Sequence, residues 1–98
     1  MGANLGNEIG ILRDAARGKG NFGLGSATAQ DVGGLGESWV SNGYTVASDG
    51  KTLISADGLR QFRPPSLKPR LGSTQANFEQ RFQLTGQWQG NGHLDIVL

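Results

Sequence analysis

Two residues of this 98-residue sequence have types and settings suited to moving protons at a phosphate: Glu79, in QANFE, and His93, in NGHLDI. Cutting an RNA strand through its own 2′-hydroxyl needs a base for that proton, an acid for the leaving 5′-oxygen, and fixed cations for the charge gathering on phosphorus. Histidine is the side chain that ordinarily titrates near neutrality, and His93 is the only one present. Cations lie close in sequence: six of the nine Lys and Arg residues, Lys51, Arg60, Arg63, Lys68, Arg70 and Arg81, fall within one stretch of 31 positions. Against Asp57 and Glu79 they leave that stretch at +4, while residues 1–50 carry −2 and the whole chain +1. A local excess of this kind points to an anionic partner. His93, Glu79, Lys68 and Arg70 are therefore the candidate catalytic residues, and Arg60, Arg63 and Arg81 the candidate RNA-binding residues.

Each of these residues also has a plainer reading. His93 between Gly92 and Leu94 suits a turn or strand end, with its ring satisfied by a backbone carbonyl. Glu79 and Arg81 fit a solvated charge pattern. Arg60 and Arg63 flank Phe62 and can simply lay their stems on a sheet. With no cysteine there is no disulfide, thiolate nucleophile or cysteine zinc site, and one histidine offers little to a transition metal. No metal or other cofactor is expected. No apolar run approaches the roughly 20 residues that span a bilayer, so no membrane insertion by this domain is expected.

The elements that must position these residues follow from periodicity. Leu5, Ile9, Leu12 and Ala16 recur at helical spacing, with Asn4 as N-cap and Gly18 as stop, which predicts a helix over 5–17. GKGNFGLGS lacks the Gly-Lys-Ser/Thr of a phosphate-binding loop and reads as a hinge between helices. Thr28 with Asp31 resembles a capping box, and Val32, Leu35, Gly36, Trp39 and Val40 form one buried stripe, predicting a second helix over 28–41. Its glycines, Gly33, Gly34 and Gly36, each cost about 1 kcal/mol relative to Ala, and Gly36 on the stripe suits close approach of a sheet.

Period two then takes over. Tyr44–Ala47 and Lys51–Ser55 around Asp49-Gly50 predict a hairpin. Leu59–Arg63 reads as a strand ended by Pro64-Pro65, with Pro64–Gly72 a constrained basic loop. Thr74–Phe82 alternates, Ala76, Phe78 and Phe82 to one side and Gln75, Asn77, Glu79 and Arg81 to the other. His93–Leu98 alternates likewise, with Leu94, Ile96 and Leu98 inward. The expected fold is α+β: two N-terminal helices packed on one face of a twisted, mostly antiparallel four- to five-stranded sheet, the other face polar and partly cationic.

SDGKTLISADGLRQFRPPSLKP, QANFE and NGHLDI, in that order, resemble the C-terminal toxin domains of CdiA-type contact-dependent growth inhibition proteins and related filamentous-haemagglutinin-like exoproteins. The resemblance spans residues 20–98, with 1–19 reading as a linker or helical lead-in. It implies a ribonuclease toxin of the barnase/EndoU/colicin/RelE fold group, in which the sheet face away from the helices holds RNA. It further implies tRNA as substrate and a cognate immunity protein as inhibitor. The domain would be carried at the cell surface as the C-terminal part of a large secreted exoprotein and would act in the cytoplasm of the target bacterium. A metal-independent endoribonuclease is thus the leading expectation. The alternative is a non-catalytic RNA-binding or protein-interaction module. A DNase ranks lower, since it would want a metal cluster, and no DNA partner is expected.

Overall fold

A computed structural model describes residues 2–97, with side chains from residue 8 onward. Two helices and six strands follow in the order α1 (Gly2–Arg17), β1 (Gly20–Thr28), α2 (Ala29–Val40), β2 (Thr45–Val46), β3 (Leu53–Ile54), β4 (Arg60–Lys68), β5 (Ser73–Gln80) and β6 (Gly90–Val97). The strands form one sheet of order β1-β6-β5-β4-β3-β2. Every neighbouring pair is antiparallel except β1 and β6, which are parallel. The α+β class is as expected, but the sheet is mixed and larger than the four or five strands anticipated.

The additional strand is β1, made from the glycine-rich segment expected to be a hinge. Extended backbone pairing with β6 from Gly20↔Gly90 to Thr28↔Val97 supplies the hydrogen bonds that a loop would leave to water. Phe22 and Leu24 turn toward the core. Gly92, opposite them on β6, is needed because a Cβ there would come within 2.6 Å of Leu24.

Helix α2 obeys its sequence. Thr28 caps it, its Oγ1 accepting from the Asp31 amide at 3.3 Å, and Val32, Leu35, Gly36, Trp39 and Val40 are all buried. The predicted stripe of α1 is displaced instead: Ile11 and Ala15 are buried and Leu12 partly so, while Ile9 and Ala16 face solvent. Asn4 lies inside this helix rather than at its cap, and its side chain and that of Leu5 lie outside the described residues. Buried Gln80 ties α1 to the sheet, its Nε2 donating to Ala16 O at 2.6 Å.

Strand β4 continues through Pro64-Pro65 instead of stopping there, and the supposed basic loop contracts to the turn after Lys68. Its pairing with β5 shifts register between Arg63 and Ser66, and β3 pairs with it only at Gln61 and Phe62. The prolines therefore sit in a bulge on what has become an edge strand, where a missing N–H costs no ladder bond. The hairpin around Asp49-Gly50 forms with only two paired residues on each side. Asp49 accepts from the Lys51 and Thr52 amides and from Thr52 Oγ1, which hold its carboxyl down to about 2.

The core lies between the helices and one sheet face. Trp39 meets Phe78 edge-on at 6.1 Å between centroids, and Phe78 meets Phe62 at 5.1 Å. Trp39 Nε1 also donates to Gln61 O at 3.1 Å and Glu79 O at 3.2 Å. One helix residue thereby fixes the two backbone positions whose side chains emerge on the sheet's far face. Among the described residues no helix is long and apolar enough to cross a membrane.

Candidate active site

Successive residues of a strand point to opposite faces, so burial of Phe62, Ala76, Phe78 and Leu94 beneath the helices sends Gln61, Arg63, Gln75, Asn77, Glu79, Asn91, His93 and Asp95 to the other side. Register arranges them in rows. Gly23, His93, Asn77 and Arg63 lie side by side across β1, β6, β5 and β4; the next row holds Asn21, Asn91, Glu79 and Gln61. In the other direction come Ser26, Asp95, Gln75 and Ser66, then Ser73 with Lys68. The three sequence words are therefore the strands themselves: QANFE supplies Asn77 and Glu79, NGHLDI supplies Asn91 and His93, and the longest one supplies Gln61, Arg63 and Lys68.

Glu79 is the centre of the arrangement, only 5% exposed. Its Oε1 accepts from Arg63 Nε at 2.9 Å and from Gln61 Nε2 at 2.7 Å. Oε2 has no protein partner yet is not sealed from solvent, since no buried side-chain polar atom among the described residues lacks a hydrogen bond. Arg63 makes its ion pair through Nε, and its side chain is 46% exposed, so the guanidinium can be reached from the open face. An anion approaching this face would meet that guanidinium, its charge fixed in place by the carboxylate beneath it.

His93 is held from the same strand. Asn77, 2% exposed, directs its Nδ2 to Asn91 Oδ1 at 3.0 Å and to His93 Nδ1 at 3.0 Å. The Asn77 amide thus holds the ring at Nδ1, which accepts from Nδ2 in the neutral ring and, with the amide turned, donates to Oδ1 in the protonated ring, while Nε2 has no protein partner. His93 and Glu79 occupy diagonal positions on adjacent strands, a separation of about 7–8 Å at Cα. Beside His93 a shallow cleft of about 350 Å³ is lined by Asn21, Phe22, Gly23, Leu71 and Gln75.

The other candidates are dispersed. Lys68 shares the polar face but sits four residues of β5 beyond the Asn77 row, about 14 Å along the strand, and Arg70 is in the exposed turn that follows. Neither joins the centre. Arg60, expected on the open face, lies on the helix side: its guanidinium is 4.0 Å from the Trp39 ring centroid and donates to Trp39 O at 3.5 Å. Burial of Phe62, two residues on, fixes that parity. Arg81 has left the strand, which ends at Gln80, and its guanidinium stacks over Trp88 at 4.4 Å while donating to Gly58 O and Gly86 O. Phe82, expected inward, is exposed for the same reason.

Sequence reasoning passed over Asn77, Asn91 and Gln61, which do the orienting. The signal was there for Asn77, placed by alternation on the face of Glu79; Asn91 and Gln61 become visible only once register is known. Comparison of the chain with models of known protein families, with curated proteins and with solved structures finds no match in any of the three.

Proposed function

We propose that this chain is a metal-independent endoribonuclease that cleaves tRNA by 2′-hydroxyl transesterification. One observation carries the reading: the Glu79 carboxylate and His93, whose Nε2 has no protein partner, share one open sheet face with the half-exposed guanidinium of Arg63. Glu79 Oε2 takes the 2′-hydroxyl proton as the oxygen attacks phosphorus. His93 acts as the imidazolium, with the Asn77 amide turned so that its Oδ1 accepts from Nδ1–H: it gives its Nε2 proton to the departing 5′-oxygen and is left as the neutral ring, and the products are a 2′,3′-cyclic phosphate and a 5′-hydroxyl. Arg63 stabilises the equatorial oxygens as their charge grows. Lys68 and Arg70, at the far end of the face, hold flanking phosphates without entering the chemistry.

The motif resemblance extends the reading to biology. The chain acts as the C-terminal toxin domain of a contact-dependent growth inhibition exoprotein, delivered to the cytoplasm of a neighbouring bacterium. An immunity protein neutralises it by covering the polar face with acidic groups, and electrostatic complementarity makes their association slow as salt rises.

The test is incubation of the purified protein with total tRNA in EDTA, read on a denaturing gel with analysis of the ends. Cut products bearing cyclic phosphates are expected, and His93→Ala should slow cutting by about 10² to 10⁴-fold with fold and RNA affinity intact. A folded His93→Ala protein cutting at the parental rate removes His93 from the mechanism. Intact tRNA with a mobility shift would instead identify a binding module.

A further inference from the structure

Arg60 and Arg81, both drawn away from the polar face, meet again at one place. They line a cleft of about 450 Å³ with Trp39, Ser41, Asp57 and Phe82, at the start of β4 and the end of β5. Among the described residues neither arginine has an ion-pair partner, the single salt bridge being Arg63–Glu79. The one carboxylate on the lining, Asp57, is taken up by Ser55 Oγ at 2.7 Å and the Leu59 amide at 2.9 Å. Its carboxyl is held below the usual range chiefly by Ser55 and the Leu59 amide, and Arg60 adds to the effect, so the carboxylate offsets part of the Arg60 charge and the lining keeps a net excess of one cation for an anion.

It also offers a ring. Phe82 is 66% exposed, on the loop joining β5 to β6. That loop is clipped shut: Gln89 N donates to Gln80 O at 2.8 Å, Phe82 N donates to Gln89 Oε1 at 3.0 Å, and Arg81 bridges Gly58 O and Gly86 O. A large apolar ring held outward by a fixed loop is a platform and not a core residue that lost its place. Ser41, also on the lining, has φ 66° and ψ 177°, the only non-glycine at positive φ among the described residues. Side-chain-bearing residues rarely adopt that conformation, and such strain gathers at binding sites.

We infer that this cleft binds a nucleotide of single-stranded RNA flanking the cleaved bond, its base stacked on Phe82 and its phosphate held by Arg60 and Arg81. The inference rests on the ribonuclease reading for the identity of the strand. Position supports the continuity: Arg60 adjoins Gln61 in β4, and Arg81 lies two residues beyond Glu79, about 7 Å along the line of β5. The cleft opens at this end of the sheet on the helix side, so a strand that crosses the polar face past Glu79 reaches it by rounding the end of β5 at Arg81. Stacking on an aromatic ring accepts any base, whereas the guanidiniums read only the backbone.

The experiment uses fluorescein-labelled 2′-O-methyl oligoadenylate of about ten nucleotides, which lacks the attacking hydroxyl, and an abasic strand of equal length, each titrated by anisotropy. Phe82→Ala should raise Kd for the base-bearing strand about 10-fold and leave the abasic strand unchanged. Arg60→Gln should weaken both and lower the salt slope by about 1. Thermal melts check that both variants are folded. Unchanged affinity of Phe82→Ala for the base-bearing strand, or equal loss for both strands, overturns the inference. Because neither probe can be cut, the two readings fail separately: tRNA left intact beside a Phe82-dependent affinity strikes the catalytic reading, and His93-dependent cutting without base-dependent binding strikes this one.

Discussion

Replacing the three glycines inside α2 one at a time should give stability changes of opposite sign. Alanine is favoured over glycine in a helix interior by about 1 kcal/mol. At Gly33 and Gly34 an added Cβ meets nothing within 4 Å, so each substitution should keep that gain and raise Tm by about 4–8 °C for a chain of this size. At Gly36 the same Cβ would lie 2.6 Å from Phe62 Cγ and closer still to the ring edge. The ring cannot swing clear, being buried and packed at 5.1 Å, tilted, against Phe78. Overpacking of this severity costs about 3 kcal/mol. Set against the propensity gain, Gly36→Ala should lose about 2 kcal/mol, a Tm about 10 °C below the parent. Circular dichroism melts of the three variants check this. Adding Phe62→Leu to Gly36→Ala should recover at least part of the loss as a favourable coupling. A Gly36→Ala protein that melts at or above the parent would refute the argument that α2 and β4 are in contact through a missing side chain.

Other outcomes follow from the polar face and the hairpin. Glu79→Gln keeps the shape of the side chain but removes the base, so tRNA cutting should fall by at least about 100-fold in a protein that melts near the parental temperature. Arg63→Met leaves the Glu79 carboxylate with Gln61 alone; because Arg63 is half exposed the loss in a melt should be held to about 1–2 kcal/mol, and Glu79→Gln in the same chain should restore part of it. Asp49 ionises more readily folded than unfolded, so its stabilising contribution is complete above pH 3.8 and disappears as pH falls toward about 2. Asp49→Asn should therefore flatten the acid limb of the stability profile, measured by urea unfolding across that window. Neutralising Lys68 and Arg70 together should reduce the salt slope of tRNA binding by about 2 while leaving the cutting rate at saturating tRNA unchanged.

What could be read from the sequence was whatever a single element decides. The buried stripe of α2 and its Thr28 cap need no partner to be visible, and alternation alone put Asn77 and Glu79 on one face. Arg60 was legible too: it shares parity with Phe62, so a strand that buries the phenylalanine carries Arg60 to the helix side and Arg63 to the polar side. Other features depend on pairing, which one sequence does not display. Gly20–Thr28 becomes a strand only because β6 offers it a parallel edge, where hydrogen bonding outweighs the cost of ordering glycine. Pro64-Pro65 ends a central strand but not one whose neighbour has already stopped. The rows joining Gln61 to Glu79 and Asn77 to His93 are products of register, as is the escape of Arg81 once β5 ends at Gln80.

The place of β6 between β1 and β5 has a kinetic consequence. Gly20 pairs with Gly90, 70 positions later, so the widest loop in the chain must close before the sheet is whole. The local pieces, α2 and the Asp49 hairpin, can form early, and β4 can find β5 across a short turn, bringing Arg63 to Glu79. Strand β6 reaches β5 across the short loop 81–89, so Arg63, Glu79 and His93 can come together within the local run β4-β5-β6. What waits for the long closure is the parallel edge β1, and a chain drawn unfolded through a narrow passage can rebuild its polar centre from residues 60–97 before residues 20–28 dock.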